Sequence, residues 1–460
     1  MSAGAPPYIP PFPPRPARGL PPLELLRTAR RNLIAIWPES SFEDELIDYR
    51  MLCRQVVVCN SPAAVKEAFI DKAAIYNRKS PQQRHALAPL IGDGLFISDG
   101  ETWRERRRVV AGVTHVSRLA ELAPNITEGA RDRLAEWRSR GDGSEIDALA
   151  AMAEMTAGVI CTTIFGRALG SAAATSVVEA FTDYQAIIGQ TDVMSLLGLP
   201  DFLPRPRAGR VQASAARIHR VLDDLIAAVL DAPPGRESSL LRAMADTPLA
   251  GSGVPMDRRA FRNEAAVLFM AGHETTAALL AWAWFILSQD PVSEVRLHAE
   301  LDAVLGGRDP EFADMERLVF TRAVIEETLR LYPPVPLQAR EASEDGEICG
   351  RKVGARALVI LNAWLLHRHR RLWSDADAFV PDRFMPGGPG LPSRYAYVPF
   401  SIGQRTCTGS AFGLTEAVMC LATLAQHFRL RLRPGWQVTP VCRLSLRPSG
   451  GLPMQLEARR

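Results

Sequence analysis

A cysteine set between two glycines and an arginine, with an apolar helical run straight behind it, narrows most what this chain can become. The stretch is Phe400-Ser401-Ile402-Gly403-Gln404-Arg405-Thr406-Cys407-Thr408-Gly409. Gly403 and Gly409 remove side chains where the backbone must turn tightly and come close to a flat ligand. From Gly409 to His427 apolar residues recur at helical spacing, so Cys407 is predicted at the N-terminus of a helix. Free N–H groups and the positive dipole end there favour an anionic sulfur and are expected to lower its pKa. Arg405, two residues before it, adds a fixed positive charge for an anionic group. The pattern predicts a thiolate made to bind a metal; a buried structural cysteine is the plainer alternative.

Composition sets the class around that motif. The 460 residues could make two or three ordinary domains or one large enzyme unit, and 47% hydrophobic with 23% charged residues is a globular mixture. Fifty-four basic against fifty-one acidic residues leave +3, too little to imply a nucleic-acid partner. Seven cysteines, odd in number and without a C-x-x-C pair, speak against a disulfide framework or a structural zinc and for a reducing compartment. Residues 1–22 carry nine prolines and read as an extended lead-in, not a signal peptide. No run approaches the roughly 20 uninterrupted apolar residues of a membrane helix, so no membrane anchor is expected.

Along the chain, Tyr49–Leu52 and Gln55–Val58 read as a hairpin, and Ser61–Phe69 as a helix capped by serine with Pro62 in its first turn. Amphipathic helices are predicted near 101–110, 116–138, 145–165 and 209–231, and three prolines between Pro200 and Pro206 interrupt two of them. Asp257 opens a long helix to Gln289, a further one spans about 313–331, and Ala357–Asn362 reads as a strand before a meander from Trp373 to Ser393. No repeat or linker divides residues 23–460, which read as one mainly α unit with minor β sheets.

Two further clusters carry chemical signals. Ala271-Gly272-His273-Glu274-Thr275-Thr276 lies mid-way along the long helix. An interior glycine costs a helix about 1 kcal/mol relative to alanine, so a local opening at Gly272, beside a flat cofactor, is expected. Glu274 and Thr275 supply a carboxylate and a hydroxyl, the parts of a proton relay. Glu327 and Arg330 stand three apart on one helix face, a pattern that by itself is most often an exposed pair.

The cysteine stretch resembles the ligand loop of the cytochrome P-450 superfamily, F-x-x-G-x-R-x-C-x-G, at every fixed position. Ala271–Thr275 resembles that family's distal-helix motif, Glu327–Arg330 its E-x-x-R helix, and Phe379-Val380-Pro381-Asp382-Arg383-Phe384 its F-x-P-x-R-F segment. The resemblance covers nearly the whole chain. It implies a haem b (iron protoporphyrin IX) sandwiched between the distal helix and a proximal helix after the cysteine loop. Cys407 would be the axial metal ligand, with Phe400, Gly403, Gly409, Ala271 and Gly272 against the cofactor. Trp103, Arg107, Arg340 and Arg405 would hold its propionates, and Glu327, Arg330 and Arg383 would form a buried structural network. Thr275 would hydrogen-bond dioxygen or its water, Glu274 would pass protons inward, and His273 would be structural. The sequence departs from the pattern at Ala111-Gly112-Val113-Thr114, where many relatives have proline and phenylalanine.

The implied function is a soluble, cytoplasmic, monomeric haem-thiolate monooxygenase that inserts one atom of dioxygen into a hydrophobic small molecule. No reductase module is visible, so electrons would come from a ferredoxin or flavodoxin with an NAD(P)H-dependent reductase, docked on Arg104, Arg106, Arg107 and Arg108. Residues 80–98, Phe181–Leu203, Val267–Thr275 and Val335–Gln338 would contact substrate; Arg84 or Arg205 could anchor a carboxylate. The rival readings are a peroxygenase, isomerase or dehydratase without an electron partner, and a haem sensor or carrier without turnover.

Overall fold

In the computed structural model, residues 6–166, 180, 181, 184, 208–231 and 239–459 are described. The prolines at 200–206, the side chains expected at 187–203 and Arg205 lie outside them. Seven helices frame the site and are labelled in chain order: α1 (Pro81–Ile91), α2 (Gly100–Val113), α3 (Leu119–Arg140), α4 (Ala148–Phe165), α5 (Arg258–Gln289), α6 (Val319–Leu331) and α7 (Ser410–Ala425). The periodic segments of the sequence are therefore helices, with ends shifted by a few residues. Local chemistry sets several of those ends. Asp257 caps α5 by accepting the Ala260 N–H at 2.7 Å, and Ser61 and Ser80 cap the helices that begin at Pro62 and Pro81.

α5 is the axis of the molecule. It lies against α4, where the Thr156 hydroxyl donates to the His273 carbonyl at 2.9 Å. Both helices are long and apolar enough to cross a membrane, yet 67% and 72% of their apolar windows are buried inside the fold. The opening expected at Gly272 is absent, because α5 is unbroken. The Thr275 and Thr276 hydroxyls bond the Ala271 and Gly272 carbonyls at 2.8 and 3.1 Å, as the i−4 geometry of a continuous helix allows. The glycine serves packing instead: a Cβ there would stand 2.6 Å from Ile160 of α4. Behind this pair, Trp137 of α3 meets Trp284 and Phe428 edge-on at 5.9 and 5.8 Å.

The main sheet has strand order β1-β2-β5-β4-β3, with β1 Leu46–Met51, β2 Arg54–Cys59, β3 Arg78–Lys79, β4 Leu337–Glu341 and β5 Leu358–Asn362. β2 and β5 run parallel; the other pairs are antiparallel. Its register sets Lys79 of β3 opposite Arg340 of β4. The described part of the proline-rich lead-in is a strap on this body. The Tyr8 carbonyl accepts from Phe379 N at 2.8 Å, that of Pro11 from the Tyr332 hydroxyl at 2.6 Å, and that of Pro16 from Glu39 N at 3.1 Å. Extended proline segments have unpaired carbonyls to offer, which suits this role.

Candidate active site

Cys407 stands two residues before the N-cap of α7, Gly409. Its N–H donates to the Phe400 carbonyl at 2.9 Å and closes the loop. Gly403 has φ +73°, and a Cβ on it would meet the Phe69 carbonyl oxygen at 2.3 Å. The turn and the neighbouring chain thus require the glycine, which does not line the cavity; Gly409 and Phe400 do. The thiol is open to that cavity but deep below the molecular surface. The Gly409 N–H and Arg107 favour its anion, yet burial outweighs them and the pKa is raised, contrary to the sequence expectation. Thr114, in the segment that departs from the family pattern, ties α2 to the loop: its hydroxyl lies 2.8 Å from the Val110 carbonyl and 3.2 Å from that of Thr408.

A cavity of about 410 Å³ lies between α5 and the cysteine loop. Ala271, Gly272, Glu274 and Thr275 enter its wall from α5, Trp103 and Arg107 from α2, and Arg405 and Cys407 from the loop. The structure therefore brings together most of the residues singled out in the sequence. Gly403 and Arg340 do not line it; Arg340 is buried behind the wall, which is formed there by Gln338, Ala339 and Lys79. Lys79, which sequence reading missed, faces the cavity beside Phe96, 4.5 Å from its ring centre. A lone lysine two residues before a proline carries no signal; only the β3–β4 register reveals it.

The cations crowd one another. Burial, then Arg340 and Arg405, push Lys79 well below its ordinary value, while burial above all pulls Arg340 and Arg405 down to about 10. Arg107 is lowered by burial as well. The carboxylate among them is Asp99, 2.6 Å from Arg405 and also paired with Arg84. Arg405 stacks on Trp103 at 4.1 Å. Lys79, Arg107, Arg340 and Arg405, set about a single carboxylate that Arg84 also shares, form a cradle for an anionic group with more than one charge.

On the opposite wall, Glu274 accepts from the Ser445 hydroxyl. His273 stacks on Phe269 at 4.9 Å, away from the cavity, and burial lowers its pKa to about 4, so it is structural. Glu416 of α7 is a second buried carboxyl that no motif flagged. It lines the cavity, both its oxygens lack a hydrogen-bond donor, and burial pushes it up to about 8. Thr276 offsets part of that rise, although its own proton goes to Gly272. A raised carboxyl holds its proton longer in the folded state than in the unfolded one. The stability it contributes is complete below the ordinary carboxylate range and is lost as pH climbs through about 8. Glu416→Gln is expected to flatten that decline, which has a ceiling of about 1.4 kcal/mol per pH unit between roughly pH 5 and 8. Denaturant midpoints across that range check it; parallel slopes for both proteins would contradict it.

The basic run 104–108 is split by the helix. Arg104 and Arg108 are exposed, and Arg104 pairs with Glu101 at 2.7 Å. Arg106, expected on the docking surface, is not there. It is buried, bonded to the Ala260 carbonyl at 3.1 Å and to Glu264 of α5 at 3.3 Å. Glu264 also accepts the Leu95 N–H at 2.9 Å, which anchors the 93–98 loop over the cavity. Arg84 is likewise committed, to Asp99 and to the Lys79 carbonyl at 2.9 Å.

These residues fit a haem. Among the described residues no set of three or more His, Cys, Asp and Glu could hold a metal, so a metal on Cys407 must bring its other ligands with it. A planar macrocycle with two carboxylates does so, and the cationic cradle suits those carboxylates. A thiol bound to a metal gives up its proton outright, which removes the effect of burial on Cys407.

Comparison with known proteins agrees with this geometry. The family model described as Cytochrome P450 matches residues 40–452. Cyclooctatin synthase of Streptomyces melanosporofaciens is 32% identical over 90% of this chain and 89% of its own length. Cyclooctat-9-en-7-ol 5-monooxygenase of the same organism is 29% identical over 85% of this chain and 83% of its own. Among solved structures, the cytochrome P450DA heme domain superimposes with a TM-score of 0.79 at 23% identity, covering 98% of each chain. That last likeness concerns the fold alone. The family match and the relatives together establish that this chain belongs to the cytochrome P450 family and is a monooxygenase of it.

Proposed function

We propose that this protein inserts one atom of dioxygen into an unactivated C–H or C=C bond of an apolar, ring-containing small molecule. The observation that carries the reading is the meeting, on one mostly apolar cavity, of a single thiol, a cationic cradle and a carboxyl–hydroxyl pair. Haem b, held by the Cys407 thiolate, would supply dioxygen activation. The chain's own part is to hold the sulfur at Cys407 and to neutralise carboxylates with Lys79, Arg107, Arg405 and, from behind, Arg340. Thr275 positions water against the wall and Glu274, held by Ser445, exchanges protons with it. The carbocyclic substrate class rests on the names of the two Streptomyces relatives and on the apolar wall.

Electrons come, in this reading, from a ferredoxin or flavodoxin and its reductase in the cytoplasm, with Arg104 and Arg108 at the docking face. The visible spectrum of the reduced protein under carbon monoxide tests the proposal. A strongly red-shifted main band is expected. A band where histidine-ligated or protonated-thiol haems absorb, or no haem in folded protein, would overturn it.

A further inference from the structure

Besides Glu416, the cavity wall holds a pair of amides that the chemistry above does not use. At the head of α1, Gln82 and Gln83 line the cavity, and the Gln82 amide has neither a donor nor an acceptor for its buried nitrogen and oxygen. Gln83 leaves its oxygen without a partner too. Several neighbouring polar groups are engaged. Ser80 caps α1 through the Gln83 N–H at 3.4 Å, Thr275 bonds Ala271, Glu274 bonds Ser445, and Arg84 bonds Asp99. An unmade hydrogen bond on a buried amide is costly, and in a cavity it is completed by water or by a bound molecule that displaces it.

We infer that Gln82, assisted by Gln83, forms a polar subsite that binds a hydroxyl group already present on the substrate. A hydroxyl both donates and accepts, and so satisfies both ends of Gln82 whichever way its amide is turned. A carboxylate accepts only, and it would face the Gln82 and Gln83 oxygens with nothing to give them. Arg84, the cation beside the pair, has its Nη2 held by Asp99 and the Lys79 carbonyl, so its charge is already balanced. The substrate is thus an apolar skeleton bearing an alcohol, and the reaction that supplies it is an earlier hydroxylation or a water-quenched cyclisation. The subsite fixes the orientation of the skeleton, and with it the carbon presented for oxidation.

This inference rests on the proposed function, because binding is read from the haem spin-state shift. The probes are three molecules of one tricyclic skeleton that differ at one carbon: abietadiene, abietadienol and abietic acid. Wild-type protein is expected to bind the alcohol about tenfold more tightly than the hydrocarbon or the acid, the margin of one buried hydrogen bond. In Gln82→Met the alcohol's advantage should vanish while the hydrocarbon binds as before, which also controls for folding. Gln83→Met should reduce the advantage by a smaller factor. An alcohol bound no better than the hydrocarbon, or not at all, overturns the subsite, as does an advantage that survives Gln82→Met, or an acid bound best. Failure of the proposed function itself is read elsewhere, from loss of the red-shifted carbon monoxide band in wild-type protein.

Discussion

Glu327→Ala is expected to yield protein that neither folds stably nor takes up haem. Glu327 is fully buried on α6. Its two oxygens accept from Arg330 at 2.7 and 2.8 Å, from the Val380 N–H at 2.8 Å and from Arg383 at 3.4 Å. Arg330 in turn donates to the His367, Ala376 and Ala378 carbonyls, each at 2.7 Å. His367 then returns to the Arg330 carbonyl at 3.2 Å through Nδ1 and accepts the Val398 N–H at 2.8 Å on Nε2. Val398 is two residues from Phe400, whose carbonyl closes the cysteine loop. One carboxylate therefore fixes the meander, and through His367 the segment leading into the cysteine loop.

Removing it strands two guanidiniums in the interior, a change that costs about 3–5 kcal/mol where it has been measured in buried pairs. That is much of the roughly 5–15 kcal/mol by which domains are stable. Haem content per polypeptide and the thermal midpoint measure the outcome; wild-type values for both would show that the network is dispensable. Burial also pulls His367 down to about 3, so the imidazole is neutral at working pH and the Val398 bond persists.

What could be read beforehand follows a physical division. Features set within a few residues were legible. The cap at Asp257, the helix behind Gly409, the pair Glu327–Arg330 and the cysteine loop each depend on neighbours in the chain. What escaped was set by pairing between distant segments. Lys79 joins the cationic cradle only because β3 lies beside β4, and Glu416 becomes a buried acid only because α7 faces Thr276 of α5. Arg106 looked like part of a basic surface, but helical geometry turns it toward Glu264 while Arg104 and Arg108 stay outside. At Gly272 the helix was expected to open; it is unbroken there, and the glycine admits Ile160 of α4 while bordering the cavity. Even the Cys407 thiol shows this limit, since its local helix-end and arginine effects were legible and the burial that outweighs them was not.

Cys407→Ser is expected to abolish turnover while leaving the fold in place. The loop does not depend on the sulfur. It is closed by the Cys407 N–H on Phe400, fastened to α2 by Thr114 and turned by Gly403, all backbone or neighbouring contacts that serine keeps. The serine hydroxyl is a far weaker acid than a thiol, and neither the Gly409 N–H nor Arg107 can make it an anion near neutrality. No other cysteine can substitute. Cys59, Cys161, Cys420 and Cys442 are buried in the core with their thiols raised by burial, and Cys53 and Cys349 lie exposed in strand turns. Cys407 alone of the seven lines the cavity. The cradle of Lys79, Arg107, Arg340 and Arg405 is untouched, so some haem should remain bound. Its reduced carbon monoxide band should then lose the thiolate red shift, and the thermal midpoint of the polypeptide should stay close to that of wild type. A serine variant that kept the red-shifted band would place the metal ligand on another residue. One that failed to fold would give the sulfur a structural task that these contacts do not contain.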